Sequence, residues 1–119
     1  MGAAVTIHGI KACDTMKKAQ AWLDDHGVVY DFHDYKKAGI TSPKLQDWAG
    51  EVGWEVLLNK AGTTFRALSE ADKQDLNEAK AIGLMVAQPS LIKRPVLATP
   101  GGLIVGFKLE IYAARLAAG

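Results

Sequence analysis

Cys13 is the one cysteine in 119 residues, and it stands in the run Gly9, Ile10, Lys11, Ala12, Cys13, Asp14, Thr15, where an apolar segment gives way to a helix-like one. A thiol at the opening of a helix can be a nucleophile. Unpaired backbone N–H groups and the positive end of the helix dipole favour its anion, and Lys11, Lys17 and Lys18 can add positive potential. Asp14 works against them unless its side chain turns away to cap the helix. The competing reading of a free cysteine is a small buried hydrophobe, and a loop ahead of a helix is a poor place for that role. Without a second thiol no intrachain disulfide forms, which agrees with a reducing compartment and makes any redox cycle depend on an external thiol.

Pro95 is the second informative position. It follows Lys93 and Arg94 at the entry to an apolar run, and a proline entering a central strand suggests a conformational lock, often a cis X-Pro bond. His8, His26 and His33 lack metal-ligand spacing with Cys13, so no metal site is expected. Trp22, Trp48 and Trp54 fall in or near apolar stripes and read as core.

These residues need elements to position them. Ala4 to His8, β-branched and apolar and stopped by Gly9, predicts a buried first strand. From Asp14 to His26, Met16, Ala19 and Leu23 recur at helical spacing with Trp22 beside them and Gly27 beyond the end, which predicts a helix. Val28 to Tyr35 alternates, Tyr30 and Phe32 against Asp31 and His33, as a second strand before a Lys36 to Gly39 loop whose lysines read as solvated. Ser42 as N-cap with Pro43 behind it opens a helix on Leu45, Trp48 and Val52 that ends near Gly53. Ser69 and Asp72 resemble a capping box, opening a helical region through Leu76, Ala79, Ile82 and Val86 to Pro89, with Gly83 as a candidate break. Leu91 to Ala98, a turn at Pro100, Gly101 and Gly102, and Leu103 to Phe107 predict a hairpin, and Glu110 to Ala118 a last helix. The order is β-α-β, a helical insert at about 41–89, then β-β-α. It builds an α/β mixed sheet with helices on its faces, the plan of thioredoxin-like folds, in one domain over 1–119.

Composition narrows the functions. The 14 Lys plus Arg against 13 Asp plus Glu leave a formal charge of +1, which offers no global field for nucleic acid or an anionic membrane. The apolar stretches at Ile82 to Ala87 and Leu103 to Phe107 fall far short of the roughly 20 residues that cross a bilayer. Met1 to Ile10 lacks a signal-peptide pattern, so a cytoplasmic protein is expected. Met1, Gly2 and Thr6 match the spacing of an N-myristoylation signal, but Val5 and Ile7 already belong to a strand and leave almost no free linker.

Three segments together resemble the arsenate reductase (ArsC) and Spx family, in particular its ArsC-related, YffB-like branch: GIKACDTMKKAQAW over 9–22, GWEVLLNKAGTTFR over 53–66, and PSLIKRPVL over 89–97 with Val105, Gly106 and Phe107 behind them. The resemblance spans nearly the whole chain. It implies a thioredoxin-like fold with a helical insert, a cis proline at Pro95, and Arg94 facing the Cys13 thiol. Bacterial members that reduce arsenate use the cysteine as nucleophile, several arginines to bind the oxyanion, and glutathione with glutaredoxin to recycle the enzyme. Cys13 and Arg94 carry over as catalytic residues. Lys11, Ala12, Asp14, Thr15, Lys60, Arg66, Lys93, Pro95 and Lys108 are the corresponding candidates for binding substrate or glutathione, and Lys11, Lys17 and Lys93 suit its carboxylates or a phosphate-like anion. The match departs at three places. Asn59 follows Leu57 and Leu58 where the reductases place an arginine, Lys108 stands for another arginine, and Met16 replaces the second cysteine of the CxxC found in redox-switch members. Lysine lacks the planar bidentate grip of arginine on an oxyanion, which weakens the case for arsenate.

The resulting expectation is a glutathione-dependent thiol reductase with Cys13 as nucleophile, no bound cofactor, glutathione as co-substrate and a monomeric state. The alternatives are an Spx-like regulator that binds the RNA polymerase alpha subunit, an arsenate reductase proper, or a retained fold without present chemistry.

Overall fold

The computed structural model describes residues 4–116. Met1 and Gly2, and the end of the last predicted helix at 117–118, lie outside the described residues. The chain divides into two compact units, residues 1–38 with 94–119, and residues 39–93.

In the first unit, β1 (Val5–Gly9) leads through a loop to α1 (Asp14–Asp25), then to β2 (Tyr30–Asp34) and the one-turn α2 (Tyr35–Ala38). β1 is central and buried on both faces, with Val5, Ile7 and Gly9 on one and the polar His8 on the other. It pairs in parallel with β2, with Ile7 opposite Phe32 and Gly9 opposite Asp34. α1 buries Met16, Ala19, Trp22 and Leu23 at the predicted spacing and stops where Gly27 takes a φ of 68°. Phe32 is 36% exposed. β2 is an edge strand, and of the two side chains that share this face it is Tyr30 that packs against the core cluster. The expected Lys36 to Gly39 loop is instead α2, opened by the Asp34 carboxylate accepting from Lys36 N–H at 2.9 Å.

The second unit is helical. It contains α3 (Ser42–Val52), α4 (Trp54–Leu57), α5 (Thr63–Arg66), α6 (Glu70–Lys73), α7 (Glu78–Ala87) and a 3₁₀ turn at Pro89–Leu91. Thr41, not Ser42, caps α3, because its hydroxyl accepts from Lys44 N–H at 3.3 Å. The region after Ser69 breaks at 74–77 and not at Gly83, which lies inside α7. Asp75 there adopts a φ of 54° and Asn77 starts α7 afresh, accepting from Lys80 N–H at 2.9 Å. Trp48 is core, whereas Trp54 is only half-buried, with Lys60 Nζ 5.8 Å from its ring centre.

The chain re-enters the first unit at Arg94 and forms β3 (Val96–Thr99), β4 (Gly102–Val105) and α8 (Leu109–Leu116). The predicted strand from Leu91 is shortened because Pro89 opens a 3₁₀ turn and Pro95 has no N–H for a ladder. β3 runs antiparallel to β1 and β4, giving the order β2-β1-β3-β4. Val5, Ile7, Met16, Ala19, Trp22, Leu23, Leu97, Ile104 and Tyr112 form one core cluster, with Cys13 packed against it.

Candidate functional site

Strand direction decides what meets at this end of the sheet. β1 and β2 are parallel and β3 opposes them. The exits of β1 and β2 therefore share an end with the entry of β3. That register brings together the Ile10 to Cys13 loop, Tyr35 and the Arg94–Pro95 pair. The Arg94–Pro95 peptide is cis. Pro95 is buried, and its carbonyl accepts from Gly106 N–H at 2.8 Å.

Cys13 occupies the N-cap position of α1 with extended backbone. No ordinary side-chain cap closes this helix, since a neutral thiol is a weak acceptor. The anion is a better one. Burial, the largest single cause, pushes the thiol pKa up. The N–H of Met16, the Arg94 guanidinium and the N–H of Thr15 all favour the thiolate, and the outcome lies below the ordinary thiol range. Asp14 is exposed and is not among the groups acting on the sulfur. Gly9 allows α1 to start this close, because a Cβ there would overlap the sulfur and methyl of the buried Met16.

Of the candidate residues, Cys13, Thr15, Arg94 and Pro95 converge. Lys11, Ala12 and Asp14 are exposed around the loop. Lys108 is exposed at the opening of α8, where its carbonyl accepts from Ile111 and Tyr112 at 3.1 Å. Lys60, Arg66 and Lys93 are exposed residues of the second unit. The Arg66 carbonyl accepts from Lys73 Nζ at 3.0 Å, and Lys93 N–H bonds the Leu57 carbonyl at 2.8 Å.

Sequence reasoning missed a cluster beside Arg94. His8 is buried, its Nδ1 lies 3.0 Å from the Val96 carbonyl, and its ring centre is 5.1 Å from His33 and 6.5 Å from Tyr35. Tyr35 is buried, and burial raises its phenol pKa while the Arg94 charge pulls the other way. The available signal was positional: Tyr35 directly follows a strand parallel to the one that delivers Cys13.

The model of the ArsC family matches residues 8–115, almost the entire chain. The chain belongs to the ArsC family. An uncharacterized protein of Haemophilus influenzae is 40% identical over 113 residues, covering 95% of this chain and 99% of its own. The global transcriptional regulator Spx of Streptococcus mutans is 28% identical over 114 residues, covering 94% of this chain and 82% of its own. Among solved structures, the protein YFFB is 62% identical with a TM-score of 0.92, covering 94% of this chain and 98% of that one. An arsenate reductase (ArsC) related protein from Brucella melitensis is 55% identical with a TM-score of 0.76, covering 94% and 93%. The ArsC-family assignment carries the thioredoxin-like fold with it, as the sheet order and helices above show.

Proposed function

We propose that this ArsC-family chain is a glutathione-dependent thiol reductase with Cys13 as its nucleophile. One observation carries the reading: two backbone N–H groups and the Arg94 guanidinium all act on the Cys13 sulfur in the direction of its anion. In the proposed cycle the Cys13 thiolate attacks the glutathione sulfur of a mixed disulfide R–S–S–G. A Cys13–glutathione bond forms, the original S–S bond breaks, and R–S⁻ leaves with the electron pair and takes a proton from water. A second glutathione thiolate then attacks that glutathione sulfur, releasing oxidised glutathione and restoring the Cys13 thiolate. Arg94 holds the negative charge before each attack and after each release. Thr15, whose N–H acts on the sulfur, and Lys11, exposed on the loop that leads to it, are proposed to contact the glutathione.

Purified protein should turn over a glutathione mixed disulfide of a small thiol, and Cys13→Ser should abolish that turnover. Activity surviving Cys13→Ser would sink the reading.

The likeness to Spx favours a second reading, a regulator that contacts the RNA polymerase alpha subunit without cysteine chemistry. Met16, which stands where redox-switch members carry a second cysteine, counts against a thiol switch in that role. Retention of the alpha subunit by immobilised Cys13→Ser protein would support the regulator, and its absence would remove it.

A further inference from the structure

The hydroxyl of Tyr35 has no role in the cycle above. Tyr35 is 4% exposed, and its Oη has no hydrogen-bond partner among the described residues. A buried tyrosine hydroxyl ordinarily finds one, because leaving it dry is costly. This one sits a single residue beyond β2, at the end of the sheet that also holds Cys13 and Arg94. His8 faces it from β1, His33 from β2, and the Arg94 charge from the entry to β3. The same guanidinium donates to the Cys13 sulfur. One cation thus has two acceptors within range of its charge, an anionic sulfur and a neutral oxygen.

The consequence rests on the redox reading of Cys13. When the thiolate attacks a disulfide, its lone pair becomes the new S–S bond and the leaving thiolate carries away the old bonding pair. The Cys13 sulfur is then neutral and a poor acceptor. The half-buried Arg94 loses that anionic partner at the same moment.

We propose that Tyr35 is a positioning residue whose Oη accepts an Arg94 N–H whenever the Cys13 sulfur is uncharged, in the mixed disulfide or the protonated thiol, and releases it when the thiolate returns. The guanidinium exchanges between sulfur and phenol. Burial keeps the phenol protonated and neutral throughout, the Arg94 charge only partly offsetting it. The hydroxyl therefore stabilises the two neutral-sulfur states over the thiolate.

Tyr35→Phe removes the oxygen and keeps the ring. In glutathione redox buffers set above the thiol's titration midpoint, mass spectrometry reads the ratio of mixed disulfide to free Cys13. Tyr35→Phe should lower that equilibrium constant about tenfold, the worth of one hydrogen bond to a charged group. It should also move the alkylation midpoint of Cys13 to lower pH, and both effects should vanish in an Arg94→Ala background. Unchanged values, an upward shift of the midpoint, or an effect that persists without Arg94 would each overturn the proposal. A parent protein that forms no mixed disulfide overturns the redox reading itself. A parent that forms it while Tyr35→Phe changes nothing overturns only the role of Tyr35.

Discussion

The start of α1 in the first unit is built differently from those of α3, α6 and α7 in the second. In the second unit, α3, α6 and α7 begin with Thr41, Ser69 and Asn77, whose side-chain oxygens accept from Lys44, Asp72 and Lys80 N–H groups at 3.3, 3.1 and 2.9 Å. Each closes the helix mouth in the usual way. In the first unit α1 begins with Cys13, which supplies no such oxygen. Its N–H groups at Thr15 and Met16 act on a sulfur that answers them fully only when ionised. The same backbone feature thus supports folding at α3, α6 and α7 and acidity at α1. An oxygen cap uses the orphan donors for stability, whereas a thiol leaves them to favour an anion.

Three substitutions test that contrast. Gly9→Ala forces a methyl into the space of the buried Met16 and should destabilise the chain by about 1–3 kcal/mol in chemical denaturation. It should also slow Cys13 alkylation, because Met16 supplies one of the N–H groups. Asn77→Ala removes an oxygen cap from the second unit and should cost about 1 kcal/mol while leaving the alkylation rate unchanged. A change in that rate would break the separation of roles. Cys13→Ser gives α1 the oxygen cap that it lacks and should stabilise it by a few tenths of a kcal/mol near pH 6.

The pH dependence has a definite sign. The folded thiol lies below its unfolded value, so Cys13 contributes stability that is fully present above the unfolded thiol's pKa and lost as pH falls through the folded one. Cys13→Ser should flatten stability against pH across that window. Denaturation midpoints at several pH values measure it.

What could be read in advance follows from how local each signal is. A lone cysteine before a helical stripe, a Gly27 stop, a glycine-rich turn at 100–102 and a proline entering a strand are fixed by backbone geometry near the residue itself. They led to Cys13, Pro95 and the order of the elements. Arg94 opposite the thiol came only with the family resemblance. Tyr35 was read as the last residue of an alternating strand because alternation does not reveal that β2 lies at the sheet edge, nor what faces a residue just past its end. The break at 74–77 was placed at Gly83 because glycine is the stronger local signal, while Asp75 in the left-handed region and the Asn77 cap decided the outcome. The exposed lysines and Arg66 were nominated by charge and resemblance alone, and no local pattern fixes where a long cation points.

The central claim is that the mouth of α1 and Arg94 make an acid of the Cys13 thiol. The rate of Cys13 alkylation followed against pH, in the parent and in Arg94→Ala, tests it most directly. A parent midpoint below the ordinary thiol value of about 8.5, moving upward when Arg94 is removed, is the predicted result. A parent midpoint at or above that value, or one indifferent to Arg94, would contradict it.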